Sequence, residues 1–151
     1  MKHAFINGKI LSGKEDMKPE EGLCVLTDGE KISTILPEDQ ADLSGYKIID
    51  LKGGYLMPGL INMHVHLAGN GKPQKKQRDN AKLVKLIMSN ALTRSVAYKM
   101  VCNFAKLELL SGVTTIRTVG GLSNYDTKLR DEAKNGKKTA PRIIASDRAI
   151  S

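Results

Sequence analysis

Two histidines two residues apart, His64 and His66, close an apolar run that begins at Tyr55 and passes through a Pro58-Gly59 turn. Two neutral imidazoles side by side can hold a divalent metal of the zinc type, but only as half of a site. A catalytic zinc takes three protein ligands and keeps one position open. The competing reading is that both rings simply pack or hydrogen-bond near a strand end. For a bare His-x-His that plainer reading is the stronger, because the motif is short. Residues 60–67 read as a buried strand, apolar and bounded by turn formers. Side chains at i and i+2 of a strand share a face, so His64 and His66 are expected to project together.

The elements around this pair follow a simple order. Residues 1–57 read as short strands joined by tight turns, a small antiparallel β unit. Strands are expected at 2–6, 9–11, 23–27, 31–36 and 48–51, with Asp28-Gly29 as a two-residue hairpin signal. After His66 comes a polar loop, 68–80, in the position of a substrate-side lid or of plain surface. Residues 81–111 carry apolar side chains at spacings of three and four, a helical stripe that weakens at Ser89-Asn90 and so reads as one helix or two. Gly112 stands where a helix C-terminal glycine belongs. A strand at 113–119 follows, ended by Gly120-Gly121. Ser123 with Asp126 resembles a capping box for a helix reaching Asn135-Gly136, and 141–146 is a third strand. Strand, helix, strand, helix, strand is the grammar of a parallel sheet. The stripe of methionine and leucine reads as core packing, not as a cofactor box.

Composition places the chain among ordinary globular proteins: 151 residues, 40% hydrophobic and 26% charged. No apolar run is long enough to span a bilayer, and the first residues show no secretory pattern. Cys24 and Cys102 are too few for a disulfide framework and read as reduced core residues, which implies a cytoplasmic address. His3, far in sequence from the pair, reads as structural. The net charge of +8 is uneven: residues 1–70 carry 7 basic and 10 acidic side chains, residues 71–151 carry 17 and 6. Lys72, Lys75, Lys76, Arg78, Lys82 and Lys85 make the densest cluster. It has the charge to bind an acidic partner, yet no aromatic residue is interleaved to stack on bases, so nucleic acid is disfavoured and a solvated face is the default.

With its flanks, the histidine segment resembles the first barrel strand of the amidohydrolase superfamily, Pro-Gly-[Leu/Phe]-[Ile/Val]-Asp-x-His-x-His. Pro58, Gly59, Leu60, Ile61, His64 and His66 match it, while Asn62 stands where aspartate is usual. With these neighbours in place, the metal reading of the two histidines overtakes the plain one. Gly112-Val113-Thr114-Thr115-Ile116-Arg117 with Gly120-Gly121 looks like the Gly-x-Thr-Thr-x-Arg-Asp-x-Gly-Gly of imidazolonepropionase-like and Xaa-Pro dipeptidase-like members. Pro141-Arg142 with Arg148-Ala149-Ile150-Ser151 looks like their third-strand region. Thr118 replaces an aspartate and Asp147 a glycine.

The resemblance implies an α/β fold: N-terminal strands of a small β-sandwich at 1–57, then the first strand–helix units of a TIM-type (β/α)8 barrel at 58–151, incomplete in this chain. The family's bridging lysine, its two further histidines and its proton-handling aspartate would all fall beyond Ser151, so no catalytic residue is expected within the chain. His64 and His66 are its implied ligands, for one or two divalent ions of which Zn2+ is the first choice. The implied parent activity is attack of metal-activated hydroxide on the C–N bond of a small amide or dipeptide, with the chain by itself inactive. Two alternatives stand beside it. One is a deaminase or cyclic-imide hydrolase of the same superfamily. The other is a stand-alone non-catalytic domain binding an acidic partner through residues 72–85. The expected company is the remainder of the enzyme or another copy of the chain, hence a homo-oligomer, and no membrane.

Overall fold

The computed structural model describes residues 1–69 and 79–146. Contacts divide the chain into two compact units, Met1–Pro58 and Gly59–Ser151. Lys72, Lys75, Lys76 and Arg78 of the basic cluster lie outside the described residues, as do Asp147 and the Arg148-to-Ser151 motif. The lid-or-surface reading of 68–80 falls mostly outside them too.

The first unit holds strands β1 (Lys2–Ile6), β2 (Lys9–Leu11), β3 (Pro19–Glu20), β4 (Leu23–Asp28), β5 (Lys31–Pro37), β6 (Lys47–Asp50) and β7 (Tyr55–Leu56), with a short 3-10 turn at Glu38–Gln40. They form a four-stranded sheet, β5-β4-β1-β6, and a three-stranded sheet, β3-β2-β7. The expected purely antiparallel unit is corrected: β1 pairs with β6, and β2 with β7, in parallel. Parallel pairing needs a connection long enough to return the chain in the same direction. Residues 7–46 and 12–54 supply it, whereas local turn signals reveal only the hairpins. The β4–β5 hairpin forms with Gly29-Glu30 as its loop, one residue later than expected, and Gly29 takes a φ of 61°. Ala4, Cys24 and Leu26 are the buried core of this unit, packed by Ile6, Leu36 and Tyr46.

The second unit holds β8 (Leu60–Val65), α1 (Asn80–Ile87), α2 (Ala91–Leu110), β9 (Val113–Thr118), α3 (Tyr125–Lys134) and β10 (Arg142–Ile144). Its sheet runs β10-β9-β8 with all pairs parallel. The break at Ser89-Asn90 is real, and Asn90 caps α2 by accepting from the Thr93 N–H at 3.0 Å. Gly112, at φ 91°, follows the end of α2 and lets the chain turn into β9. The capping box is corrected. Asn124 is the N-cap of α3 and makes no side-chain cap bond, while Ser123 sits at φ 58°, outside the conformation a capping serine needs. Asp126 is instead buried, beside Gly121.

One core joins the sheet to the helices: Val65, Leu67, Ile116 and Ile143 from the strands, Ala97, Val101 and Ala105 from α2, Tyr125 and Leu129 from α3. Small side chains at a spacing of four, Ala97, Val101 and Ala105, let α2 lie close to the sheet. Tyr98 donates to Glu132 Oε2 at 2.8 Å and Tyr125 donates to the Arg94 carbonyl at 3.0 Å, tying α2 to α3. The expectation of a buried strand at 60–67 holds only in its second half. Leu60, Ile61 and Met63 are 49%, 63% and 52% exposed, whereas Val65 and Leu67 are buried. Apolar composition asks for cover on both faces, but β8 is the edge of the sheet and the helical layer reaches only its C-terminal half.

Candidate functional site

The site grows from the irregular end of β8. Pairing with β9 slips between Asn62 and Val65, a local departure from regular register. Asn62 Oδ1 accepts from the His64 backbone N–H at 3.2 Å, within that irregular stretch. A side chain that takes up a backbone donor in this way substitutes for a missing ladder bond. Beyond it, Val65 and Leu67 turn into the core and His64 and His66 turn the other way, both exposed.

The two rings meet edge to face, with centroids 5.2 Å apart at 68°. Their Nε2 atoms are 3.3 Å apart. His66 Nδ1 lies 3.1 Å from the carbonyl oxygen of Gly120, which begins the turn after β9. The rings open onto a cleft of about 790 Å³ lined also by Asn62, Phe104, Leu107 and Glu108. Glu108 shares that cleft, yet among the described residues no group of three or more His, Cys, Asp or Glu is placed to hold a metal. Two nitrogens converging from one strand face are chemically suited to a zinc-type ion, and they are half of what a catalytic site requires.

Thr118, where the family pattern has aspartate, is fully buried, and its Oγ1 accepts from the Ser146 N–H at 3.3 Å. It therefore braces β9 against the end of β10. Arg117 lies on the exposed face of β9. Sequence reasoning missed two features. One is the Gly120 carbonyl, for which the Gly120-Gly121 pair was the available signal. The other is a second cleft, of about 690 Å³, lined by Arg130, Lys134 and Arg142, three cations brought together by α3 and β10. His3, on β1, belongs to the other unit.

A parallel βαβαβ unit with two imidazoles at the C-terminal end of its edge strand defines an α/β protein of the kind whose sites sit where strands end. Known proteins agree. An amidohydrolase family model matches residues 47–101. A dihydroorotase from Staphylococcus epidermidis is 37% identical over 70 residues, 46% of this chain and 16% of that protein. A solved Xaa-Pro dipeptidase with bound methionine superposes with a TM-score of 0.77 at 26% identity, covering 100% of this chain and 34% of that one. A prolidase solved with N-methylphosphonate-L-proline gives a TM-score of 0.77 at 25% identity, covering 100% and 33%. The chain is thus similar to amidohydrolases, in sequence over residues 47–101 and in backbone over its whole length. It spans about a third of the length of these solved structures. Among the described residues no helix is long and apolar enough to cross a membrane.

Proposed function

We propose that this chain is the N-terminal portion of a metal-dependent hydrolase acting on C–N bonds of small molecules, dipeptides first among them. Met1–Pro58 would supply strands of a β-sandwich, and the unit from Gly59 the opening β-α-β-α-β of a (β/α)8 barrel. A barrel takes about 250 residues, so the greater part would come from elsewhere: the remainder of the enzyme, or further copies of the chain. The observation that carries this reading is the pair of Nε2 atoms 3.3 Å apart at the exposed end of β8. His64 and His66 would hold a divalent ion, zinc by preference. When bound, that ion would supply Lewis-acid chemistry, acidifying a water and polarising an amide carbonyl. Asn62 would fix the backbone from which His64 projects, and Phe104 and Leu107 would give the cleft an apolar wall. Cys24 and Cys102 are both free thiols, which suits a cytoplasmic setting.

The dipeptide class is favoured by the Xaa-Pro dipeptidase and prolidase likeness over the whole chain. The dihydroorotase match over 70 residues supports cyclic-amide opening as the second reading. Zinc content and hydrolysis of Xaa-Pro dipeptides and of dihydroorotate, measured on the protein that carries this chain and on its His64→Ala and His66→Ala variants, separate these. Loss of both metal and hydrolysis in each variant is expected, with the dipeptide the better substrate. Full metal retention in both variants overturns the assignment, and preference for dihydroorotate replaces the first reading with the second.

A further inference from the structure

The surroundings of the two rings are not equivalent, and their difference is chemical. His66 Nδ1 faces a carbonyl oxygen, that of Gly120, at 3.1 Å. A carbonyl can only accept, so the nitrogen opposite it has to carry the proton. In a neutral imidazole the other nitrogen then bears the lone pair. His66 Nε2 is therefore a lone pair aimed at His64 Nε2, 3.3 Å away. Two lone pairs would repel at that distance, so with both rings neutral His64 has its proton on Nε2 and donates it to His66.

We propose that the Gly120 carbonyl is a positioning group that sets the tautomer of His66, so that this ring presents Nε2 to a metal while His64 must first shift its proton to Nδ1. This rests on the metal-ligand reading of the pair. A ligating histidine is ordinarily held through its other ring N–H by an acceptor; here the strand β8 supplies the ring and the turn after β9 supplies the acceptor, 54 residues away.

The turn that presents this carbonyl tolerates little change. Gly120 has a φ of 135°, a left-handed conformation that favours glycine. A Cβ added at Gly121 would fall 2.7 Å from Cγ of Asp126, which is buried at the first turn of α3. Gly120-Gly121 thus lets the chain pass between the ring on one side and the Asp126 carboxylate on the other. A side chain at Gly121 has to displace the Asp126 carboxylate or the turn, and a displaced turn carries the carbonyl with it.

The experiment is a long-range 1H–15N correlation of the histidine rings in the 151-residue chain, read for the neutral form of each ring. The expected result is His66 protonated at Nδ1 and His64 at Nε2. A His66 found in the Nε2–H form overturns the proposal in the wild-type chain, with no variant needed. Gly121→Ala, if it folds, is expected to lose the fixed His66 tautomer and to bind Zn2+ about 10–100-fold more weakly in the protein that carries the chain; an unchanged tautomer in that variant also counts against it. Zinc titration of the wild-type protein keeps the two ideas apart. Tautomers as expected with no ring shift on adding Zn2+ would sink the metal reading alone, whereas zinc binding with the wrong His66 tautomer would sink this one alone.

Discussion

Tyr98 shows how a single side chain in this protein couples packing to pH. Its ring stacks edge to face on Tyr125 at 5.2 Å, Lys128 Nζ lies 4.1 Å from its centroid, and its hydroxyl donates to Glu132. Burial raises the phenol above its usual range, and the Glu132 carboxylate accepting its proton raises it further. A group whose folded value is raised adds stability that is fully present below the unfolded value, about 10 for tyrosine, and is lost as pH climbs above it. The unfolding midpoint followed from pH 8 upward is therefore expected to fall more steeply above about pH 10 in the wild-type chain than in Tyr98→Phe. Below that pH the variant should be less stable by about 1 kcal/mol, the worth of one hydrogen bond. Parallel alkaline limbs would show that Tyr98 does not carry the effect. Cys24 works in the same direction, since burial raises its thiol, the Glu38 carboxylate adding to it.

At the scale of elements, the close approach of the first two strands of the second unit depends on a residue with no side chain. Leu60 N–H donates to the Gly112 carbonyl at 2.9 Å, where β8 and β9 start together. Just before it, a Cβ on Gly59 would lie 2.6 Å from Cβ of Thr114, with the rest of that threonine nearer still. Both partners are at the base of strands, so neither can move without shifting register. Gly59→Ala is expected to destabilise the chain by about 1–3 kcal/mol, an overpacking cost, read from chemical denaturation. The double variant Gly59→Ala with Thr114→Gly should recover most of that loss. Equal stability of Gly59→Ala and wild type would mean the strands are less tightly apposed than described. The Pro58-Gly59 pair thus has two roles, a turn and a point of contact, and only the first is legible from residue types.

The second unit leaves apolar surface uncovered on more than one side. Along α2, Leu92, Val96, Met100, Leu107 and Leu110 follow one another at helical spacing and are all exposed, Leu92 at 75% and Leu110 at 71%. This stripe is distinct from the Ala97, Val101 and Ala105 face that meets the sheet. The outer edges of β8 and β10 pair with no strand among the described residues. Exposed parallel edges and apolar helix faces invite association. Sedimentation of the isolated 151-residue chain at micromolar concentration is expected to show dimers or larger species, through other copies covering these edges and this apolar stripe. A monodisperse monomer with cooperative thermal unfolding would contradict this and favour a self-standing domain.

The amino-acid sequence by itself determined the type and order of most elements, the weak point at Ser89-Asn90 though not whether one helix or two would form there, and the shared face of His64 and His66. These follow from short-range physics: hydrophobic period, turn chemistry at Gly112 and Asn135-Gly136, and the alternation of a strand. The family motif was legible for the same reason, since Pro58 to His66 are consecutive. What only the tertiary structure decided are relations across long stretches of chain. The parallel pairing of β1 with β6, the exposure of Ile61 and Met63, the burial of Asp126 in place of a capping role, and the Gly120 carbonyl beside His66 all depend on which strand lies next to which, and in what register. Residue types at 64–66 place two imidazoles on one face; the register of β8 on β9 decides what each imidazole's other nitrogen meets.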